Sequence, residues 1–172
     1  MPATKLLAPI GHLFQHNRYT RLKGFPSLYL SDGITTVQAE VFGAKAVRRG
    51  PLGPPSESRL TLPVMVDLPD VVDLTDAAIL GALAVSEDDL IEEFVPLQRD
   101  ALGRFPGYEL PQCLGELAND LGIGAFLCSS APSRAVGGGG KNLVIFTDHL
   151  VARRGRYEVE DPVMGELERW PQ

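Results

Sequence analysis

The chain has 172 residues, 44% hydrophobic and 22% charged, a length and balance that fit one folded domain and exclude a wholly disordered polymer. Its 16 basic and 22 acidic side chains give a formal net charge of -6, which disfavours the backbone of DNA or RNA as a main partner. No apolar run is long enough to span a bilayer, and no leader with a cleavage signal is read at the start, so a cytoplasmic protein is expected.

In chain order, residues 1–24 show no regular pattern and hold the polar cluster HNRYTR. Ser27–Ser31 reads as a short strand, Asp32-Gly33 as a turn, and Thr35 or Thr36 as the cap of a helix carrying Val37, Glu40, Val41 and Ala44. Val37, Glu40 and Val41, spaced by three and four, share a face of that helix. A carboxylate between two apolar neighbours is unusual there, and belongs either at the edge of the face or buried within it. The Gly- and Pro-rich stretch 50–56 is a loop, followed by strands at Leu60–Val66 and Val71–Leu74. Thr75 or Asp76 caps a helix to about Ala84, and Ser86-Glu87-Asp88-Asp89 starts another. After a patternless connection over 99–111, Leu110–Leu121 has helical spacing with Leu114, Leu117, Ala118 and Leu121 on one side. Ala125–Cys128 is a compact apolar strand. A polar, glycine-rich loop, Ser129–Lys141, leads to the strand Leu143–Phe146. Gly137–Gly140 lacks the Lys-Ser/Thr pair of a phosphate loop and reads as a flexible connection. The tail after Arg156 is charged and expected to be peripheral, dividing the chain into a domain over 1–156 and a tail over 157–172. The order of elements favours an α+β fold, with small mixed or antiparallel sheets flanked by helices.

Cys113 and Cys128 are too few for a disulfide framework and read as two buried thiols. With three dispersed histidines they give no basis for a metal site. The basic groups Arg18, Arg21 and Lys23, then Lys45, Arg48 and Arg49, then Arg153, Arg154 and Arg156 read as solvated faces.

The most informative constellation is Arg18, Tyr29 and Glu40 with the serines that follow Phe126–Cys128. Arginine can hold a phosphate, tyrosine can stack on a nicotinamide ring, and a carboxylate can favour positive charge developing on a ribose. Each also has a plainer reading: Arg18 as a surface residue, Tyr29 as a half-buried strand aromatic, Glu40 as a solvated helix flank, Ser129 and Ser130 as cap or terminator.

The segment HNRYTRLKGFPSLYLSDGITTVQAEVF, in which Arg18, Tyr29 and Glu40 stand eleven residues apart, resembles the N-terminal signature of the RES domain family. VVDLTD at 71–76 resembles that family's central strand and helix start. ELANDLGIGAFLCSSAPSRAVGGGGKNLVIF at 116–146 resembles its late, serine-bearing part. The likeness spans residues 17–146. It implies an ADP-ribosyltransferase-like α+β fold and a toxin of the RES–Xre kind, paired with a helix-turn-helix (Xre-type) antitoxin. It further implies cleavage of the nicotinamide–ribose bond of NAD by phosphorolysis, hydrolysis or ADP-ribosyl transfer, without a metal. On this resemblance Arg18 would hold the pyrophosphate and Tyr29 would position the nicotinamide or its ribose. Glu40 would stabilise the sugar cation, and Ser129 or Ser130, with Ser133 as a third choice, would be the family serine. Ser133 and Asn142 would assist in binding. Asn17 replaces a family glycine, and the chain reads as starting short of a further upstream arginine. The competing expectation is therefore an inactive RES-like domain that still binds its antitoxin.

Overall fold

The computed structural model describes residues 17–21, 23–43, 61–91, 109–160, 165 and 167–171. Strand β1 (Ser27–Ser31) runs directly into helix α1 (Ile34–Gln38), whose backbone widens into a π turn over Ala39–Gly43. Strands β2 (Val64–Asp67) and β3 (Val71–Asp73) follow, then helices α2 (Ala77–Leu83), α3 (Glu87–Ile91) and α4 (Leu110–Asp120). β4 (Ala125–Ser129), α5 (Ala131–Ala135) and β5 (Lys141–Phe146) complete the main sheet. The 3-10 turn Thr147–His149, helix α6 (Leu150–Arg153), β6 (Arg156–Glu160) and β7 (Leu167–Trp170) end the described chain.

The fold is α+β. A mixed four-stranded sheet has the order β1-β5-β4-β3, with β3 and β4 parallel and the other pairs antiparallel. A second, antiparallel sheet has the order β2-β6-β7. Strand alternation gives the larger sheet two different faces. On one, Phe126, Cys128, Val144 and Phe146 pack with Tyr19, Phe25, Leu74, Leu80, Leu90 and Ala118. Phe126 and Phe146 meet edge to face at 5.1 Å, a favoured ring geometry. On the other face, Ala125 and Ile145 pack with Leu150 and Tyr157, and Val64 and Val66 of the second sheet close over them. Among the described residues no helix is long and apolar enough to cross a membrane.

Local chemistry explains where elements start. Asp76 caps α2 by accepting from the Ala78 amide at 2.8 Å, while the Thr75 hydroxyl donates to Asp73. Ser86 and Asp89 hold each other across the first turn of α3.

Several expectations are corrected. Neither Thr35 nor Thr36 caps α1: Gly33 stands at the N-cap, and the Thr36 hydroxyl, one turn in, donates to Asp32. β2 begins at Val64 rather than Leu60, and Leu60 lies outside the described residues, as do Ala44, Lys45, Arg48, Arg49, the stretch 50–56 and most of 99–111. The span 129–141 is not all loop, because Ser130 caps α5 through the Ser133 amide. Its glycines pack tightly: a Cβ on Gly140 would overlap Thr36, and one on Gly138 would stand 2.5 Å from the Ser133 hydroxyl.

On α4 the buried face is Pro111, Gln112, Gly115 and Ala118, and Leu117 and Leu121 are exposed. A Cβ at Gly115 would strike the Tyr19 carbonyl, so the backbone before β1 selects the face with the smallest side chains. Cys113 is consequently exposed, while Cys128 is buried and both are free thiols. Residues 157–160 do not lie in a peripheral tail: β6 is the central strand of the second sheet, and Tyr157 and Val159 are sealed in the core. The late and early arginines pair with carboxylates, Arg21 with Glu116, Arg153 with Asp70 and Arg156 with Asp67.

Candidate functional site

The carboxyl ends of β1, β3 and β4 and the first residues of β5 meet at one end of the larger sheet. Register makes this unavoidable: Ser31 is paired with Asn142, and Ser129 with Lys141. A cleft of about 930 Å³ opens there, with Tyr29, Glu40, Lys141 and Asn142 in its wall and Val64 and Val66 supplying apolar cover. Its size and mixed lining suit a small organic ligand with a few polar groups.

Glu40 sits in the π turn after α1, a backbone form common at functional sites. Val37 and Val41, its helical neighbours, also line the cleft, so the face inferred from their spacing is the one presented. Glu40 stands at the exposed edge of that face rather than buried within it. Its Oε1 accepts from the Ser130 hydroxyl at 2.8 Å and from the Asn142 side-chain amide. Asn142 is itself oriented by the Ser31 hydroxyl, which donates to its Oδ1 at 2.8 Å. The carboxylate is therefore held by two donors from the far end of the chain, one of which is fixed by a third residue. Charge-assisted bonds of this kind are the stronger ones.

Tyr29 presents part of its ring to the cleft and sends its hydroxyl inward, where it accepts from the Tyr19 amide at 3.1 Å. Burial raises its phenol well above the ordinary tyrosine range, against the opposing effect of that amide and of the Arg18 charge. Tyr29 is neutral at any physiological pH and can stack without adding charge.

The three candidate serines separate by geometry. Ser130 alone reaches Glu40; it is fully buried, and its oxygen also accepts from the Ser133 amide. Ser129 donates to Glu87, which also pairs with Arg134 at 3.0 Å. Ser133 is buried and accepts from the Gly140 amide at 3.1 Å, fastening the glycine segment to α5. Arg18 is not part of the cleft wall: its Nη1 donates to the Leu90 carbonyl at 2.8 Å, tying the early segment to α3.

Two cleft residues were not singled out from sequence. Asp32 accepts from Thr36 at 2.6 Å and from the Lys141 amide at 3.0 Å, bracing the turn that launches α1. Lys141 was read as the end of a loop, yet it is the first residue of β5, and its side chain reaches Thr75. The polar content of residues 141 and 142 before an apolar strand was the available signal. His149 is held by Asn119 at 3.1 Å and meets no serine among the described residues. No group of three or more metal-ligating side chains is assembled among the described residues. No protein-family model matches the chain, and no curated protein matches it.

Proposed function

We propose that this domain cleaves the nicotinamide–ribose bond of NAD, in the manner of the RES-type, ADP-ribosyltransferase-like toxins that its sequence resembles. The observation that supports this reading is the Glu40 carboxylate, oriented by Ser130 and Asn142 in the wall of a cleft that also carries the Tyr29 ring. The four residues come from two segments far apart in sequence, 29–40 and 130–142, and each was singled out for this chemistry.

In this scheme Tyr29 positions the nicotinamide ring or its ribose. Nicotinamide in NAD is cationic, so the bond from the ribose carbon to the ring nitrogen breaks with its electron pair going to nitrogen, and neutral nicotinamide departs without protonation. Positive charge developing on the sugar faces Glu40, whose preorganised carboxylate stabilises it. The acceptor, phosphate, water or a protein side chain, then forms the new carbon–oxygen bond. A water or hydroxyl acceptor passes its proton to the carboxylate and on to solvent, whereas a phosphate dianion attacks without losing one. Arg18 lies outside that wall, near enough for its charge to be felt by Tyr29 and Cys128. The partner on this reading is an Xre-type helix-turn-helix antitoxin.

Glu40→Gln keeps an oxygen that can accept from Ser130 and Asn142, so it should fold normally while turnover falls about 100- to 1000-fold. The measurement is NAD loss with and without phosphate, with product mass identifying the acceptor. Turnover unchanged by Glu40→Gln would falsify the assignment. A second reading, a RES-like domain that binds its antitoxin without catalysis, is favoured by the tie of Arg18 to Leu90 and its place outside the cleft wall. Wild-type protein inert toward NAD in either buffer, yet still bound to an antitoxin, would establish it.

A further inference from the structure

Lys141 has no role in the scheme above, yet it carries the one cationic side chain among the described residues of the cleft wall. An ammonium has three donors to place. The Lys141 Nζ donates to the Thr75 hydroxyl oxygen at 2.8 Å, and that hydroxyl in turn donates to Asp73 at 2.6 Å. Among the described residues no carboxylate stands within salt-bridge reach of it.

The two carboxylates of the same wall are engaged by other donors. Asp32 takes the Thr36 hydroxyl and the Lys141 backbone amide, and Glu40 takes Ser130 and Asn142. A half-buried positive charge thus faces the cleft with a neutral hydroxyl as its hydrogen-bonded partner. Taking such a charge further out of water is costly unless an anion joins it, so the position favours a ligand that brings negative charge. Asp73 does not serve as that anion at contact. Its carboxyl is held below the usual range first by the Thr75 hydroxyl, with Lys141 a smaller cause.

Position narrows the ligand. Lys141 is the immediate neighbour of Asn142, which holds Glu40, and it is paired in register with Ser129 at the same end of the sheet. Consecutive strand residues send their side chains to opposite faces. A ligand with its sugar against Glu40 therefore reaches Lys141 around the open end of the sheet, along the cleft that both residues line, a path that suits an elongated ligand. We propose that Lys141 binds the diphosphate of a dinucleotide in this cleft. The identity of the dinucleotide rests on the NAD reading above; the anion-binding role of Lys141 does not.

The test uses calorimetric titration of the full chain with ADP and, separately, with inorganic phosphate. Lys141→Gln retains a donor for the Thr75 hydroxyl, and Lys141→Arg retains the charge; circular dichroism confirms that both are folded. ADP should bind Lys141→Gln about 10- to 100-fold more weakly than wild type, with Lys141→Arg within a few-fold of wild type. Added salt should weaken ADP binding more in wild type than in Lys141→Gln. That pattern supports the assignment even when NAD is not consumed, an outcome that removes only the catalytic reading. Equal ADP affinity in wild type and Lys141→Gln overturns it while leaving NAD cleavage standing. So does a wild-type protein that does not bind ADP. Loss of phosphate binding with ADP unaffected also overturns it, placing Lys141 at the acceptor instead.

Discussion

The four-stranded and three-stranded sheets differ in what covers them, and the difference explains where chemistry can be placed. In the larger sheet, β5 grades from half-buried at Lys141–Leu143 to sealed at Val144–Phe146. One end of the strand is clamped between two apolar layers, and the other carries polar side chains to the cleft. The smaller sheet has no such gradient: β2 alternates half-buried and exposed residues, and β7 is mostly exposed. It lends Val64 and Val66 as an apolar wall, and none of the hydrogen-bonded groups around Glu40 comes from it. A site needs side chains held firmly yet reachable. Only a strand anchored at one end and open at the other supplies both.

If the larger sheet is the anchor, the greatest stability loss should come from its sealed end. Phe146 is fully buried and meets Phe25 and Phe126 edge to face at 5.3 and 5.1 Å. Phe146→Ala should cost about 3–5 kcal/mol in denaturant unfolding. In the smaller sheet Val159 is as well buried, and Val159→Ala should cost about 2 kcal/mol. Equal losses for the two variants would break the comparison, because both sheets would then contribute alike.

A smaller effect separates the sheets by titration. Burial pushes the Cys128 thiol of the larger sheet up to about 11, from an ordinary value of 9.0. It pushes the Tyr157 phenol of the smaller one up to about 12, from 10.0. Both groups are neutral in the fold and ionise sooner in the unfolded chain. Their contribution is fully present below pH 9 and is lost as pH rises, through about 11 for Cys128 and about 12 for Tyr157. Unfolding followed from pH 8 upward should show this decline, with the earlier part absent in Cys128→Ala and the later part reduced in Tyr157→Phe, where the buried phenols of Tyr19 and Tyr29 supply the remainder. At pH 8 an alkylating reagent should modify exposed Cys113 quickly and Cys128 only on unfolding.

The elements legible in the sequence are those whose signals are local. β1, β4 and α4 lie close to where alternation, apolar runs and helical period place them, and Asp76 caps α2 as its position suggests. What failed depended on distant partners. Of the expected stripe Leu114, Leu117, Ala118 and Leu121, Ala118 is buried and Leu114 packs against the core. Leu117 and Leu121 face outward because Gly115 is turned to the Tyr19 backbone, a close approach that no local pattern reveals. β6 was passed over since RYEVE looks charged. Yet its glutamate, Glu158, is buried and paired with Arg169 of β7, a strand that also looks like tail. At the site, residue type pointed to Glu40, Tyr29 and Asn142. Which serine joins Glu40 was illegible, because it turns on the short helix that Ser130 caps and on the register that sends Ser129 to Glu87.

The bonds around Glu40 also bear on how the chain comes to possess a site at all. Its partners Ser130 and Asn142 lie 90 and 102 positions further along the sequence. Closing loops of that length is slow compared with winding α2 or α4, which need only their neighbours. A chain with its helices formed but β1 not yet joined to β5 therefore holds a carboxylate with nothing to orient it. Whatever this site does, it exists only once β1 is joined to β5, and a chain that lacks that pairing carries none of it.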